Sequence, residues 1–245
     1  LDQVTGRLEV SGDNLDPINR FLPQTIESVR GNFTLKAGVT GTPQKPQFSG
    51  EASLTHGTIK TIEIVNPLEN VVVDVALRHD TVVVRSASAV VRDKKLAGRI
   101  DVKGTMRIGS IKSFDYDLQV TGRGVPARME FKDFYVLADF DLSVSGPTPP
   151  KVVGQVRPQR VEDREPFSES EARPVYDASL WDWDIAIEMP SGGYFIKNDQ
   201  LDAELSANLR LLRERGQPSY LGGAEFIRGR VYLFDKTGRI ERGVL

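Results

Sequence analysis

The residues of this chain best suited to acid–base or metal chemistry are three pairs of aspartates, each pair separated by one residue. They are Asp115 with Asp117, Asp139 with Asp141, and Asp182 with Asp184. Two carboxylates that converge on one site could serve as a general acid and a general base, or could bind a cation. Residues two apart in a β-strand also point to the same side of a sheet. The simpler interpretation is that these carboxylates face water while their apolar neighbours face a core.

The histidines and the Ser191-Gly192-Gly193 segment favour turns over catalysis. His56 precedes a glycine and His79 precedes Asp80, and neither stands at a known catalytic spacing from a serine or a carboxylate. Ser191 lacks the glycine two residues earlier that a nucleophile elbow needs. We therefore predict a hairpin turn there, with a new strand beginning at Tyr194.

The composition removes further classes of chemistry. The chain has no cysteine, which excludes thiolate nucleophiles, disulfides and cysteine-ligated zinc. No phosphate-binding loop, EF-hand or zinc spacing occurs. We expect a protein that is not an enzyme and that has no catalytic residues, no metal site and no cofactor. A carbohydrate-active or hydrolytic domain that uses one of the aspartate pairs remains the enzymatic alternative.

Charge and hydropathy also limit the partners. Lys and Arg total 32 against 34 Asp and Glu, which gives a net charge of −2, and the basic residues are spread among acidic ones, so we expect no nucleic acid. The longest apolar run, 134–138, is far shorter than the roughly 20 residues of a membrane-spanning helix. Because the sequence begins at Leu1 inside a strand-like pattern, we expect an excised fragment whose anchoring or targeting regions lie elsewhere.

The element that must position all of these residues is the β-strand. Apolar and polar residues alternate along most of the chain, as in Phe114, Tyr116, Leu118 and Val120, and period-two alternation indicates strands that are dry on one side. Gly, Asn, Asp and Pro interrupt the pattern at short intervals, so most connections should be tight antiparallel hairpins. We predict an all-β fold of roughly 15 strands.

One short helix and one charged interruption stand out from this pattern. Asp16 and Pro17 are suited to the start of a helix near residues 16–30. The alternation stops between 158 and 179, where acidic and basic residues cluster. This predicts a segment 1–157, a charged loop or linker 158–179 and a segment 180–245, although strands could still pair across the linker.

A quasi-repeat accompanies three Gly/Pro turns. Each copy contains two strands and a glycine shortly after the turn, and these glycines are Gly50, Gly154 and Gly222. A glycine inside a strand often marks a bulge or a point of strong twist. The spacing between the copies differs, so the pattern does not predict a strict solenoid.

The alternation leaves open what covers the dry side of the strands. Two dry faces could close on each other as a sandwich or barrel core. A curved, incompletely closed sheet would instead leave a long apolar concavity. The pattern of the residues is compatible with both.

The last 65 residues resemble a known family. The segment reads Trp181-Asp182, Ile185 and Pro190, then Tyr194 to Asp199, and ends with Gly222, Phe226, Gly229, Val231-Tyr232 and Phe234. This order is similar to the C-terminal region of the TamB family, the inner-membrane-anchored subunit of the translocation and assembly module. The upstream Gly41 to Gly50 turn more loosely resembles the same family and AsmA-like bridge proteins. The family segment normally continues beyond Leu245, and the insert 158–179 is longer than the family pattern suggests.

The resemblance implies both an architecture and a role. It implies a long, curved, mostly antiparallel sheet that forms an open U-shaped trough, a β-taco, with an apolar concave face. It also implies a periplasmic conduit that carries phospholipids between the inner and the outer membrane in this groove and contributes to outer-membrane biogenesis. The alternative role is a scaffold or chaperone for outer-membrane protein assembly and secretion. The implied partners are phospholipid acyl chains and a TamA-like β-barrel protein of the BamA family.

The residues expected to line the groove are the apolar members of the alternating runs. They are Phe33, Leu35, Val39, Phe48, Leu54, Val73, Val75, Leu77, Val82, Val84, Ile100, Val102, Met106, Phe114, Tyr116, Leu118, Val120, Phe140, Leu142, Val144, Trp181, Trp183, Ile185, Ile187, Leu201, Leu205, Leu209, Leu211 and Phe226.

Overall fold

Alternating apolar and polar residues make long strands here, because most runs extend over more than ten residues before a turn residue interrupts them. A computed structural model of the chain describes residues 5–15, 26–42, 45–110, 113–130, 133–165, 181–233, 236–241 and 243–244. The strands are β1 (Gly6–Asn14), β2 (Ile26–Thr42), β3 (Lys45–Thr61), β4 (Leu68–Arg78), β5 (Thr81–Asp93), β6 (Leu96–Ser110), β7 (Ser113–Arg128), β8 (Phe134–Pro147), β9 (Lys151–Asp163), β10 (Asp182–Lys197), β11 (Leu201–Glu214), β12 (Gln217–Leu233), β13 (Lys236–Ile240) and β14 (Gly243–Val244).

All of these strands belong to one sheet in which spatial order follows chain order. Each strand from β1 to β13 pairs with its predecessor and its successor, and β14 pairs with β12. Strands β1 and β13 end the described sheet at opposite sides, so it is open rather than closed into a barrel. Short turns join most neighbours, as predicted, including the turns at His79-Asp80 and Arg215-Gly216. The all-β, long and mostly antiparallel fold is confirmed.

One pair of neighbours breaks the antiparallel pattern. Strands β9 and β10 are parallel, with Val152 opposite Trp183 and Val156 opposite Ile187. Parallel neighbours need a crossover connection rather than a hairpin, and this connection contains residues 166–180, which lie outside the described residues. The pairing joins the segments 1–157 and 180–245 into a single sheet.

Three local expectations are corrected by the strand boundaries. Strand β9 runs to Asp163, so residues 158–163 of the predicted linker are strand. Residues 26–30 of the predicted helix lie in β2, and the rest of that helix, 16–25, lies outside the described residues. Strand β10 continues through Ser191-Gly192-Gly193 with a register shift between Met189 and Tyr194. That segment is therefore a bulge rather than a hairpin turn.

The register separates the two faces of the sheet, because residues opposite each other on neighbouring strands point to the same side. One row of opposed residues crosses all strands from β1 to β12. It consists of Val10, Leu35, Ala52, Val75, Val84, Gly104, Leu118, Val144, Val152, Trp183, Arg213 and Pro218. We call it the arginine row, and we call the side of the sheet that carries it the apolar face.

A second row on the same face lies two residues further along each strand, or three on β5, where the register shifts between Val84 and Ala87. It consists of Gly12, Phe33, Leu54, Val73, Ala87, Val102, Val120, Leu142, Gly154, Ile185, Leu211 and Tyr220. This second row carries no charged residue. The apolar face is therefore continuous from the first described strand to the twelfth.

The sheet curves toward its apolar face at β6. Strands separated by one neighbour lie about 9.6 Å apart in a flat sheet, yet Cα atoms of β5 and β7 approach within 8 Å. A Cβ atom at Gly98 would lie 2.5 Å from the Cα of Val125 on β7, and Gly98 is opposite the buried Val91 on the apolar face. Strand β7 therefore bends over β6 on the apolar side, and a side chain at position 98 would block this bend.

Two of the three quasi-repeat glycines have backbones that favour glycine. Gly154 and Gly222 have φ angles of 157° and 116°. A Cβ at these positions would lie 2.9 Å from the Cα of Leu142 and 3.0 Å from that of Leu209, respectively. Gly50 has no positive φ among the described backbone outliers. All three copies form the predicted hairpins, β2–β3, β8–β9 and β11–β12.

Burial is uneven because one layer of sheet cannot enclose both of its faces. The chain exposes 16361 Å² of surface, whereas a compact monomer of 27.2 kDa exposes about 10,900 Å². Two apolar clusters centre on Val161, Met189 and Ala207 and on Leu201, Ala203 and Leu205. The best-packed region therefore lies where β9 to β12 meet, at one end of these strands.

Candidate functional site

The predicted groove residues lie on one face of the sheet. Apart from Trp181, which precedes β10, the strand registers place every one of them on the apolar face. Trp181 is joined to this face by its ring, which lies 6.4 Å from that of Tyr116. Tyr116 is in turn 6.2 Å from Phe114. The face thus carries an aromatic cluster near the ends of β7 and β10.

The apolar face is open to water toward its two sides. Leu8 on β1 is 54% exposed, Phe48 on β3 is 50% exposed and Tyr220 on β12 is 73% exposed. Val144, on the central strand β8, is buried. An apolar surface of this extent on a monomeric protein is typical of a binding surface. Its length and its low polarity suit a long apolar ligand.

The opposite face is polar and carries cross-strand ion pairs. Lys36 lies 3.2 Å from Glu9, and the Nη2 atom of Arg85 lies 2.7 Å from Glu51. Exposed ion pairs of this kind contribute little stability. Their charged groups are hydrated, so this face of the sheet is polar while the opposite face is apolar.

The aspartate pairs lie on this polar face, and three of their carboxylates, those of Asp115, Asp141 and Asp184, form ion pairs with arginines. Asp184 accepts two hydrogen bonds from Arg210, of 2.7 Å and 2.8 Å, and Asp141 contacts both Arg123 and Arg157. The hydrogen bonds from the guanidinium groups lower the pKa of Asp184 and of Asp141. A general acid at neutral pH needs a raised carboxyl pKa. These two carboxylates are tuned in the opposite direction.

The other members of the pairs differ in their contacts. Asp115 lies 3.6 Å from Arg107, and Asp139 accepts a hydrogen bond of 2.6 Å from the backbone N–H of Gly124. Asp117 is opposite Thr105 in the sheet. Asp182 Oδ1 is buried and has no hydrogen-bond partner among the described residues.

Both histidines lie at irregular points of the backbone. His56 has a φ of 52° at the register shift of β3, and His79 has a φ of 58° in the turn between β4 and β5. The backbone N–H of His79 donates to the carbonyl of Phe48. These positions agree with turn and surface residues. Within the described residues, no group of three or more acidic, histidine or cysteine side chains could hold a metal ion.

Sequence reasoning missed a buried arginine on the apolar face. Arg213 is 7% exposed, and it is the only buried charged side chain in the described part of the chain. Its guanidinium carbon lies 4.8 Å from the centre of the Trp183 ring, and its Nη1 atom donates to the carbonyl of Trp181 at 3.4 Å. The available signal was its spacing, since Arg213 follows Leu211 by two residues.

A second polar side chain on the apolar face, that of Tyr194, lies near the other end of β10. Tyr194 is opposite Leu205 on the apolar face, and its hydroxyl donates to Asp163 at 3.3 Å. Burial, followed by the charge of Asp163, raises the pKa of Tyr194 to about 12. The phenol therefore remains protonated at neutral pH.

Small residues of the apolar face were also missed. Ala52, Ala87, Gly104 and Gly154 occupy positions in the two rows, but alanine and glycine add little to an apolar signal in the sequence. At Gly104 and Gly154 a Cβ atom would lie 2.9 Å from the Cα atoms of Leu118 and Leu142, so the backbones of neighbouring strands approach closely at these two positions.

Two further observations bear on identity. The described residues include no helix with the length and hydropathy that a membrane crossing requires. No protein-family model, curated protein or solved structure matches this chain.

Proposed function

We propose that the chain is part of a lipid-transfer conduit, in which acyl chains lie on the apolar face of the curved sheet. The observation that carries this proposal is the pair of rows that cross the sheet from β1 to β12, with Arg213 as their one charged member. Burial of an acyl chain contributes about 0.8 kcal/mol per methylene group. A face that extends across twelve strands can receive such chains along its whole length.

The open sides of the sheet support transfer rather than storage. Leu8 near one side and Tyr220 near the other are exposed on the apolar face, so a chain could enter or leave without opening a closed core. Sliding between equivalent apolar positions needs no cofactor. The polar face, with its ion pairs, would remain in contact with water.

The resemblance to TamB extends the proposal to a cellular location. The chain acts in the periplasm of a cell envelope, as part of a protein anchored in the inner membrane. It moves phospholipids between the inner and the outer membrane, in contact with a TamA-like partner of the BamA family. The one-sided sheet described above supports this reading.

Photocrosslinking from paired positions tests the conduit. A photoreactive residue at Val102 or Leu142 lies on the apolar face, and Asp101 and Ser143 are matched controls on the polar face of the same strands. After irradiation in cells, mass spectrometry should find phospholipid adducts at 102 and 142 but not at 101 and 143. Equal labelling of the two faces, or no lipid at the apolar positions, would contradict the conduit.

A second candidate function is a scaffold for outer-membrane protein assembly, and it is favoured by the free edge of β12. Strand β13 pairs with residues 229–233 of β12 and β14 pairs with residues 225–226, whereas Gln217–Ala224 have a partner only on β11 among the described residues. An exposed strand edge can add an extended segment of another protein. Tyr220 and Leu221 are exposed there.

The two functions predict different adducts. A photoreactive residue at Leu221 should capture protein if this edge binds a client strand, whereas Val102 should capture lipid if the apolar face is a conduit. Protein adducts at 221 without any lipid adduct at 102 would favour the scaffold alone.

A further inference from the structure

The two ends of the strands border the apolar face in different ways. We call the strand ends that are joined by residues 79–80, 148–150 and 215–216 the open rim. We call the opposite strand ends, joined by residues 62–67, 94–95 and 198–200, the closed rim. The rows of opposed residues cross the strands between these rims, so the burial of each row shows which part of the face is covered.

Apolar-face side chains near the closed rim are covered by the protein itself. Along each strand they lie beyond the second row, on the side away from the open rim. An acyl chain could lie there only by displacing packed side chains. These residues are at most 9% exposed and include Val71, Val91, Val125, Ala138, Met189 and Ala207.

A loop also crosses the closed rim between β4 and β7. Residues 62–67 join β3 to β4, and the N–H of Val65 donates to the carbonyl of Arg128 at the end of β7, at 2.9 Å. The side-chain amide of Asn66 donates to the carbonyl of Arg92 near the end of β5, also at 2.9 Å. These contacts hold the loop over the ends of the intervening strands, so the apolar face does not open to water there.

Near the open rim the same face is accessible to water on β1 to β3. Leu8 is 54% exposed, Leu35 is 38% exposed and Phe48 is 50% exposed. Each of them lies in the arginine row or closer to the open rim. The accessible part of the face on these strands is therefore at one end only.

A cavity of about 350 Å³ lies at the open rim and is lined by Phe48, Leu77 and Ile108 together with the turn residues His79 and Asp80. The turn is fixed on both sides. The N–H of His79 donates to the carbonyl of Phe48 at 2.9 Å, and the N–H of Ile108 donates to the carbonyl of Asp80 at 2.7 Å. Apolar side chains from three strands thus meet a polar turn, an arrangement that suits the junction between acyl chains and a headgroup.

Between β7 and β10 an aromatic contact crosses the open rim. The ring of Tyr116 on β7 lies 6.4 Å from that of Trp181, which precedes β10. Pro150, in the turn between β8 and β9, is fully buried. The accessible stretch of the open rim that contains the cavity therefore lies on β1 to β6.

The depth of the face between its accessible and its buried part is close to the length of an acyl chain. Leu77 near the open rim and the buried Val71 are six positions apart on β4, which corresponds to about 20 Å at roughly 3.3 Å per residue. The hydrocarbon of one bilayer leaflet is about 15 Å thick. An acyl chain can therefore lie along a strand while its polar end stays outside the open rim.

We propose that a phospholipid on the apolar face lies parallel to the strands, with its headgroup at the open rim beside the turn between β4 and β5 and with the ends of its acyl chains toward the closed rim. This inference rests on the proposed conduit and adds an orientation to it. Movement from strand to strand then carries the headgroup along the open rim, in water, while the acyl chains stay on the apolar face.

Fluorescence quenching tests the orientation on the 245-residue chain, which has no cysteine and therefore accepts a single labelled one. Asp80 at the open rim and Lys94 at the closed rim are exposed residues in the turns at the two ends of β5. D80C and K94C are each labelled with a small fluorophore and mixed with phosphatidylcholine that carries a nitroxide on its headgroup. The lipid should quench the probe at 80 and leave the probe at 94 unchanged, because the two ends of β5 are about 40 Å apart.

The position of the nitroxide on the lipid provides the control. Phosphatidylcholine with the nitroxide at the end of an acyl chain should leave the probe at 80 unquenched. Equal quenching of both probes by the headgroup nitroxide, or quenching at 94 alone, would overturn the orientation and leave the conduit intact. The orientation also fails if neither probe is quenched although native mass spectrometry shows bound lipid. If the wild-type chain binds no phospholipid, the conduit fails and the orientation fails with it.

Two substitutions at similarly exposed positions compare the rims without a probe. Phe48 at the open rim is 50% exposed, and Ile62 at the closed rim is 44% exposed. F48E should weaken the binding of phosphatidylcholine about tenfold or more, because an acyl chain would cover an unpaired charge, whereas I62E should leave binding unchanged. Native mass spectrometry from detergent measures both. Any result in which F48E does not weaken binding more than I62E would overturn the orientation.

Discussion

At the scale of the residue, the sheet assigns different tasks to neighbouring positions of one strand. Asp141 on the polar face contacts Arg123 and Arg157, while Leu142, the next residue, lies in the second row of the apolar face. Burial also varies widely within the apolar face. Leu205 is 1% exposed and Leu8 is 54% exposed, so the same residue type contributes to packing at one site and to an open surface at the other.

Truncation of these two leucines should separate packing from surface display. Leu205→Ala should lower the free energy of unfolding by about 2–5 kcal/mol, because it leaves a cavity beside Tyr194 and Phe226. Leu8→Ala should change it by about 0.5 kcal/mol or less, as is usual for an exposed position. Urea denaturation followed by circular dichroism measures both. Equal losses would indicate that the open side of the sheet is covered in solution.

At the scale of the element, glycines determine how strands bend past one another. Three glycines differ in the two effects that an added side chain would have, an unfavourable φ angle and steric overlap with a neighbouring strand. Gly222 combines a φ of 116° with a Cβ position 3.0 Å from the Cα of Leu209, Gly146 has a φ of 90° with no atom within 4 Å of its Cβ position, and Gly109 has neither restriction. Conformational strain and steric overlap can therefore be tested independently.

Alanine substitution at the three glycines should destabilise the sheet in a fixed order. G222A should cost the most, because it adds overlap with β11 to an unfavourable φ. G146A should cost about 1–2 kcal/mol from backbone conformation alone, and G109A should cost the least. Thermal unfolding of the three variants gives the order. A G146A variant as stable as G109A would show that the backbone at position 146 relaxes freely.

The sequence predicts individual strands far better than it predicts how they pair. Period-two alternation reveals which side chains share a face, so the face that contains Val102 and Leu142 could be predicted. Alternation is the same in parallel and antiparallel strands, which is why the parallel pairing of β9 with β10 was not foreseen. The glycines after Ser191 are equally compatible with a bulge and with a turn. Arg213 was overlooked because its charge suggested the polar face, although its spacing from Leu211 indicated the apolar one.

At the scale of the whole molecule, one sheet replaces the closed core of an ordinary domain. Within the described residues, β1 and β13 have no partner on their outer sides, and the exposed surface is about one and a half times that of a compact monomer of this mass. Stability must therefore come from contacts between successive strands.

Small-angle X-ray scattering tests this shape directly. A compact domain of 245 residues has a radius of gyration of about 18 Å. The open sheet should give a clearly larger value and an asymmetric distance distribution, because its mass is spread along the direction in which the strands succeed one another. A value near 18 Å would indicate that the two sides close on each other as a sandwich.

Pairing in chain order has a consequence for how such a protein can change over evolutionary time. Each strand from β1 to β13 pairs with its sequence neighbours, so the gain or loss of one β-hairpin within the meander leaves the other pairings intact. Neighbouring strands are about 4.8 Å apart, and a hairpin therefore alters the span by about 9.6 Å without changing the direction of the chain at either side. The extent of the sheet across its strands therefore changes in steps of one hairpin. Duplication or deletion of hairpins could adjust this extent to whatever distance selection favours.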